Sequence, residues 1–217
     1  MSRFFDSELA SFRSLISRML LLNHQQLQLA VEGLLNHRPE KAQQVIDIEE
    51  EVDQLEIELD SESLRFLSLR SPIASELRLI MSGSKMGHEF ERIGDESKKI
   101  AKRCLRNKNK SIPEEFALNF RLMYEVVETM IETVQVVFDS QNDQLASEVI
   151  ERDNIVDTYN RDLQDIILHE VDNTTLQLKF GVDLIACCRA MERIGDHIKN
   201  IAEILIFLNS GLDVRDE

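Results

Sequence analysis

The chain has 217 residues, of which 43% are hydrophobic and 30% charged, a balance that excludes a disordered or fibrous polymer and suits a protein with a real core. No apolar run approaches the roughly 18 residues of a membrane span, and the N-terminus lacks a basic-then-apolar leader, so a cytoplasmic location is expected. The 25 basic against 40 acidic side chains give a net charge of -15, which repels a phosphate backbone, argues against nucleic-acid binding and favours cations or basic protein surfaces as partners.

Helical punctuation runs along the whole chain. Only 7 Gly and 3 Pro occur, and apolar residues recur at three and four with no sustained alternation, which predicts an all-α protein. Pro39, Pro72 and Pro113 each stand near a helix start, where the missing N–H costs nothing. "FDSQND" before residue 143 and "VDNTT" at 171–175 supply turn and N-cap residues. Six long helices are expected, at 6–36, 40–70, 73–108, 114–139, 142–170 and 174–209. Cys104, Cys187 and Cys188 form neither a CxxC nor a metal-finger spacing and read as reduced core residues.

The six helices divide into two threes. "ERIGDESKKIA" from Glu91 returns as "ERIGDHIKNIA" from Glu192, 101 positions later, with eight of eleven letters identical. A fainter echo lies one helix earlier, where "VIDIEEEVDQLEIEL" from Val45 matches "VIERDNIVDTYNRDL" from Val149, 104 positions later. The fold class expected is therefore two tandem three-helix bundles related by internal duplication, one over 1–110 and the other over 111–217.

At 100° per residue, Leu79, Gly83, Met86, Phe90, Ile93, Ser97, Ile100 and Cys104 fall in one band of the third helix. Phe180, Leu184, Cys187, Met191, Ile194, Ile198, Ile201 and Leu205 repeat it in the sixth. Glu91 and Asp95 project together well away from that band, and Gly94 and Gly195 lie between, open to a neighbouring helix or a ligand. On the second helix, Val45, Ile48, Val52, Leu55, Leu59 and Phe66 define the core band. Glu49 and Asp53 project off its flank, followed by Glu56 and Asp60. An acid, three residues and an Asp thus occur four times: Glu49/Asp53, Glu91/Asp95, Asp153/Asp157 and Glu192/Asp196. If the second and third helices of each half run antiparallel, as a short connection demands, the pairs face one another.

A solvated acidic face explains any one pair, since exposed pairs contribute only about 0.3–0.5 kcal/mol and are common. Four repetitions of a like-charge liability suggest that a cation relieves it. Oxygen donors suit Mg²⁺, Ca²⁺, Mn²⁺ or iron, and zinc less, because no Cys or His belongs to the motif. A di-iron carboxylate enzyme would want Glu-x-x-His facing the bundle interior, and no Glu here is followed three residues later by His. His88 and His197 occupy inequivalent positions and read as surface or packing residues. No nucleophilic triad or phosphate loop can be assembled, so nothing points to a reaction. Lys98, Lys99, Lys102, Arg103, Arg106, Lys108 and Lys110 form an acid-free basic run. It reads either as a solvated helix end complementing the dipole or as a docking patch.

With "SLRSPIASELRLIMSGSKMGHEFERIGDESKKIA" and the second ERIGD helix, each preceded by an acid-x-x-x-Asp helix, essentially the whole chain resembles the PhoU family, the accessory regulators of bacterial phosphate uptake. The resemblance implies paired three-helix bundles, a homodimer and no enzymatic activity. Multinuclear, oxygen-ligated metal ions (iron, Mn²⁺ or Mg²⁺) would lie at Glu49, Asp53, Glu91, Asp95, Asp153, Asp157, Glu192 and Asp196. It further implies a cytoplasmic adaptor between the ATPase subunit of the phosphate ABC transporter and the sensor histidine kinase of the phosphate two-component system, repressing the starvation response and reaching the membrane only through those partners. The first copy departs from the pattern at Glu96-Ser97, and Ser82, Gly83, Ser84 and Gly87 loosen the third helix, so unequal metal strength in the two halves is expected. The alternatives are a structural helical oligomer with solvated acidic faces and a carboxylate metalloenzyme.

Overall fold

A computed structural model describes residues 2–70, 72–173 and 175–211, with side chains from residue 6 onward. Six helices follow in order: α1 (Ser2–Leu35), α2 (Pro39–Leu69), α3 (Ala74–Arg106), α4 (Glu114–Ser140), α5 (Asp143–Asp172) and α6 (Leu178–Ser210). Pro39 opens α2 at its first turn and Pro113 stands just before α4, where proline's fixed φ favours a helix start. The Asn142 side chain caps α5 by accepting from the amides of Gln144 and Leu145, as the turn residues there predict.

The sixth helix begins four residues later than the periodicity suggests. Thr174 lies outside the described residues, and Thr175 closes the previous helix instead of opening the next. Its hydroxyl donates to the Glu170 carbonyl at 2.7 Å, while the amides of Thr175 and Leu176 also donate to that carbonyl. Orphan carbonyls at the end of α5 thus claim the residue that would otherwise have capped α6.

Helices α1, α2 and α3 pack on one another, as do α4, α5 and α6, and the two groups meet through α3 against α6 and α1 against α4. Every residue of the three apolar bands is buried except the half-buried Ile48, and one continuous core runs through both groups. Direction follows from the contacts. On α2 and α3, Lys98 pairs with Glu49 and Ser84 bonds Asp60, so the helices are antiparallel, as expected. Helices α3 and α6 are antiparallel as well: Arg106 pairs with Asp183 at one end, and Arg78 donates to the Leu208 carbonyl at the other.

The cysteines are free and buried. Burial pushes the Cys104 thiol up to about 11 and the Cys187 thiol up to about 12, which keeps both protonated and unreactive at neutral pH. Among the described residues no helix is long and apolar enough to cross a membrane.

Close packing of α1 on α3 depends on Gly83. A Cβ there would stand 2.5 Å from Phe12 Cε1, and that ring is itself wedged edge-on against Phe66 at a centroid distance of 5.7 Å. The ring has no room to retreat in a close-packed interior. Gly83→Ala should therefore destabilise the protein by about 1–3 kcal/mol despite alanine's better helix propensity, read as a lower urea midpoint at unchanged slope.

Candidate functional site: two acidic grooves

Antiparallel packing places the acid rows of α2 and α3 opposite each other, and those of α5 and α6 likewise. In the first groove Glu49 and Asp53 face Glu91 and Asp95. In the second, Asp153 and Asp157 face Glu192 and Asp196. All eight predicted acids fall in these two grooves. Their depths differ from the sequence expectation, however. Six are half-buried, whereas Glu49 and Asp153 are only 3% and 4% exposed, because each lies where α2 or α5 presses against the ERIGD helix. An outward-facing flank on an isolated helix becomes a buried seam once the neighbour arrives.

Each buried acid has a lysine from the facing helix. Lys98 Nζ pairs with Glu49 Oε2, and Lys199 Nζ with Asp153 Oδ2 at 2.9 Å. The lysines stand 101 positions apart and the acids 104 apart, so the pairing is duplicated with the repeats. Burial alone would lower the Lys98 ammonium, but the Glu49 bond and the charges of Asp53 and Asp95 raise it overall. For Lys199 the Asp153 bond is the leading cause of a raised value. Both ammonium groups are fixed as cations inside the grooves.

Four of the other six acids are disfavoured as anions. Burial, followed by Asp95, Glu56 and Asp53, raises the Glu91 carboxyl against the opposing pull of Arg92. Asp53 is raised by burial and by Asp95 and Glu56, with Lys98 opposing. In the second groove, burial and then Asp196 and Asp157 raise Glu192; burial and then Asp153 raise Asp196, with Lys199 opposing. Desolvation and neighbouring carboxylates both disfavour the charged form.

The two glycines of the repeated phrase serve different neighbours. A Cβ on Gly195 would stand 3.3 Å from Asp153 Oδ1, so the absent side chain leaves room for that carboxylate. Asp153 Oδ1 is buried and has no hydrogen-bond partner among the described residues. A Cβ on Gly94 would instead meet the Gln26 amide of α1 at 3.2 Å. Gln26 and Asn23 are both fully buried and bonded to each other at 3.0 Å.

Three features escape the repeat pattern. Glu96, 6% exposed, pairs with Lys99 one turn along α3 and with Arg193 across the α3–α6 seam. Glu89 accepts from Asn200 and lies 2.7 Å from His197 Nδ1, so that histidine ties the two halves together. His88 sits beside Glu56 and Asp60 in the first groove; the two acids were legible as a continuation of the row, the histidine was not. The basic run is largely spent inside the molecule, with Lys98 on Glu49, Lys99 on Glu96, Arg106 on Asp183 and Lys110 on Gln177 and over the Phe180 ring.

The raised carboxyls set a sign for pH dependence. They bind protons more tightly in the folded state than in the unfolded chain, so their contribution to stability falls as pH rises from the ordinary values of 3.8 and 4.5 through the raised ones. In metal-free protein, Glu192→Gln/Asp196→Asn should raise the thermal midpoint at neutral pH by about 1–3 °C. By about pH 3, below the ordinary values of both carboxyls and so with both states largely protonated, the gain should vanish in thermal melts.

Two PhoU domains match the chain, over residues 16–104 and 120–205. A phosphate-specific transport system accessory protein PhoU homolog of Pseudomonas aeruginosa is 34% identical over 215 residues, covering 99% of this chain and 88% of the relative. The PhoU homolog 1 of Thermotoga maritima is 25% identical over 212 residues, covering 98% and 91%. Among solved structures, PhoU from Pseudomonas aeruginosa superposes with a TM-score of 0.91 at 32% identity, covering 96% of this chain and all of that one. The phosphate transport system regulatory protein PhoU from Streptococcus pneumoniae gives 0.88 at 25% identity, covering 97% and 99%. The doubled acid-bearing three-helix unit read from the sequence is the PhoU domain, and the chain belongs to the PhoU family.

Proposed function

We propose that this protein regulates phosphate uptake and represses the phosphate-starvation response, as a cytoplasmic, homodimeric, non-enzymatic adaptor. Its repeats would span 1–110 and 111–217. Its partners would be the ATPase subunit of the phosphate ABC transporter and a sensor histidine kinase. The observation that carries the reading is likeness along nearly the full length to relatives named as accessory proteins of the phosphate-specific transport system.

Within that reading, Glu49, Asp53, Glu91, Asp95, Asp153, Asp157, Glu192 and Asp196 would bind oxygen-ligated metal ions, iron, Mn²⁺ or Mg²⁺, with more than one ion per groove. The donor set fits. Carboxylates from facing helices converge in each groove, burial and mutual repulsion hold four of them at raised values, and Asp153 Oδ1 has no partner among the described residues. A cation bound there would supply the counter-charge that like-charged carboxylates lack. Lys98 and Lys199 partly supply it already, so an ion reaching Glu49 or Asp153 exchanges with an ammonium group.

Metal analysis of purified protein should find at least one ion per groove, with a loss of most of it in Glu91→Ala/Asp95→Ala/Glu192→Ala/Asp196→Ala. Unchanged metal content in that variant would remove the site assignment. Deleting the gene should raise alkaline phosphatase in phosphate-rich medium, and an unaltered level would count against the regulatory role.

A further inference from the structure

The first groove continues past the motif acids, and the second does not. One turn and two turns beyond Asp53, Glu56 and Asp60 project from α2 toward His88 of α3, and one ligand atom from each of the three lies within 4.8 Å of the others. At the duplicated positions, 104 and 101 residues later, stand Asn160, Gln164 and Arg189. Gln164 Nε2 donates to Asn160 Oδ1 at 3.0 Å, so two neutral amides satisfy each other where the first half keeps two carboxylates. A guanidinium stands at the position of the imidazole.

The hydrogen bonds fix which imidazole nitrogen is available. His88 Nδ1 lies 2.5 Å from Glu56 Oε1, and because a carboxylate only accepts, the shared proton resides on that side of the ring. Nε2 then faces Asp60 Oδ2 across 3.9 Å. In the neutral imidazole these are two acceptors with no donor between them. Ser84 Oγ donates to the other oxygen, Asp60 Oδ1, at 2.6 Å and holds the carboxylate in that orientation. Among the described residues no lysine or arginine comes within ion-pairing distance of Glu56 or Asp60, unlike Glu49 and Asp153 with their lysines.

We propose that His88 Nε2 and Asp60 Oδ2, with Glu56 behind the imidazole on Nδ1, bind one borderline divalent transition ion of the zinc class, at a site present only in the first repeat. An imidazole nitrogen beside a carboxylate suits such an ion better than Mg²⁺ or Ca²⁺, which prefer oxygen alone. An ion about 2.0–2.2 Å from nitrogen and oxygen ligands fits between Nε2 and Oδ2 after a small closing movement. Glu56, holding Nδ1–H, orients the ring as carboxylates do behind metal-bound histidines. The site uses none of the eight motif acids, so it stands or falls separately from them.

The test is titration of the metal-stripped full chain with Zn²⁺ and, separately, Mg²⁺. Binding is read by calorimetry and by imidazole NMR signals, the His88 pair being identified by its absence in His88→Gln. His88 is exposed, so that variant should fold, as checked by its circular dichroism melt. Stoichiometric Zn²⁺ should shift the His88 signals where excess Mg²⁺ does not, and His88→Gln should lose one zinc equivalent or bind it at least tenfold more weakly. The transplant Asn160→Glu/Gln164→Asp/Arg189→His should add one. Glu91→Ala/Asp95→Ala/Glu192→Ala/Asp196→Ala should retain the His88 shift, even if that variant loses its other metal. Unmoved His88 signals at saturating Zn²⁺, or wild-type zinc binding in His88→Gln, would overturn the proposal.

Discussion

Helix α3 lies antiparallel along α6, and the rest of the molecule is arranged around that contact. The seam is closed at its ends by Arg106 on Asp183 and by Arg78 on the Leu208 carbonyl. In its middle Glu89 meets His197, and Glu96 meets Arg193. Both ERIGD helices are central to their own bundles and to the join between them. Each therefore has one side committed to its partner and another turned toward α2 or α5, and the acid rows fall on the latter. Independent rigid bundles on a linker would leave no reason for Glu96 and Glu89 to be buried or half-buried with partners from the opposite half.

The charge arrangement follows from that packing. A carboxylate at the edge of a helix costs little in water, but the same group beneath a neighbouring helix requires a counter-charge. The protein supplies one tethered ammonium per groove, at Lys98 and Lys199, against four motif carboxylates. The remaining imbalance appears as carboxyls pushed above their ordinary range on both sides of the molecule.

Much of this was legible in the letters. Proline placement and apolar spacing located all six helices, with ends within a few residues, and the repeated phrase revealed the duplication. Local sequence could not show that Thr175 closes α5, because that depends on which backbone carbonyl reaches it first. The eight acids were legible as pairs because their spacing is a property of one helix. The burial of Glu49 and Asp153 was not, since it is created by the neighbouring helix and its lysine. His88 was hidden for the same reason: its relation to Glu56 and Asp60 depends on the register of α2 against α3. Aligning the two halves offered a signal, because the amide pair Asn160 and Gln164 replaces Glu56 and Asp60 only in the second.

Were an ion to enter either groove as proposed, the lysine there would set its kind. Sodium or potassium brings no more charge than the ammonium it must displace, and it lacks the covalent leash that returns the ammonium to the same carboxylate. A divalent ion leaves one extra positive charge behind after the exchange. On that reading the tethered lysine would act as a threshold, leaving the grooves indifferent to abundant monovalent ions while keeping them responsive to scarcer ones of higher valence.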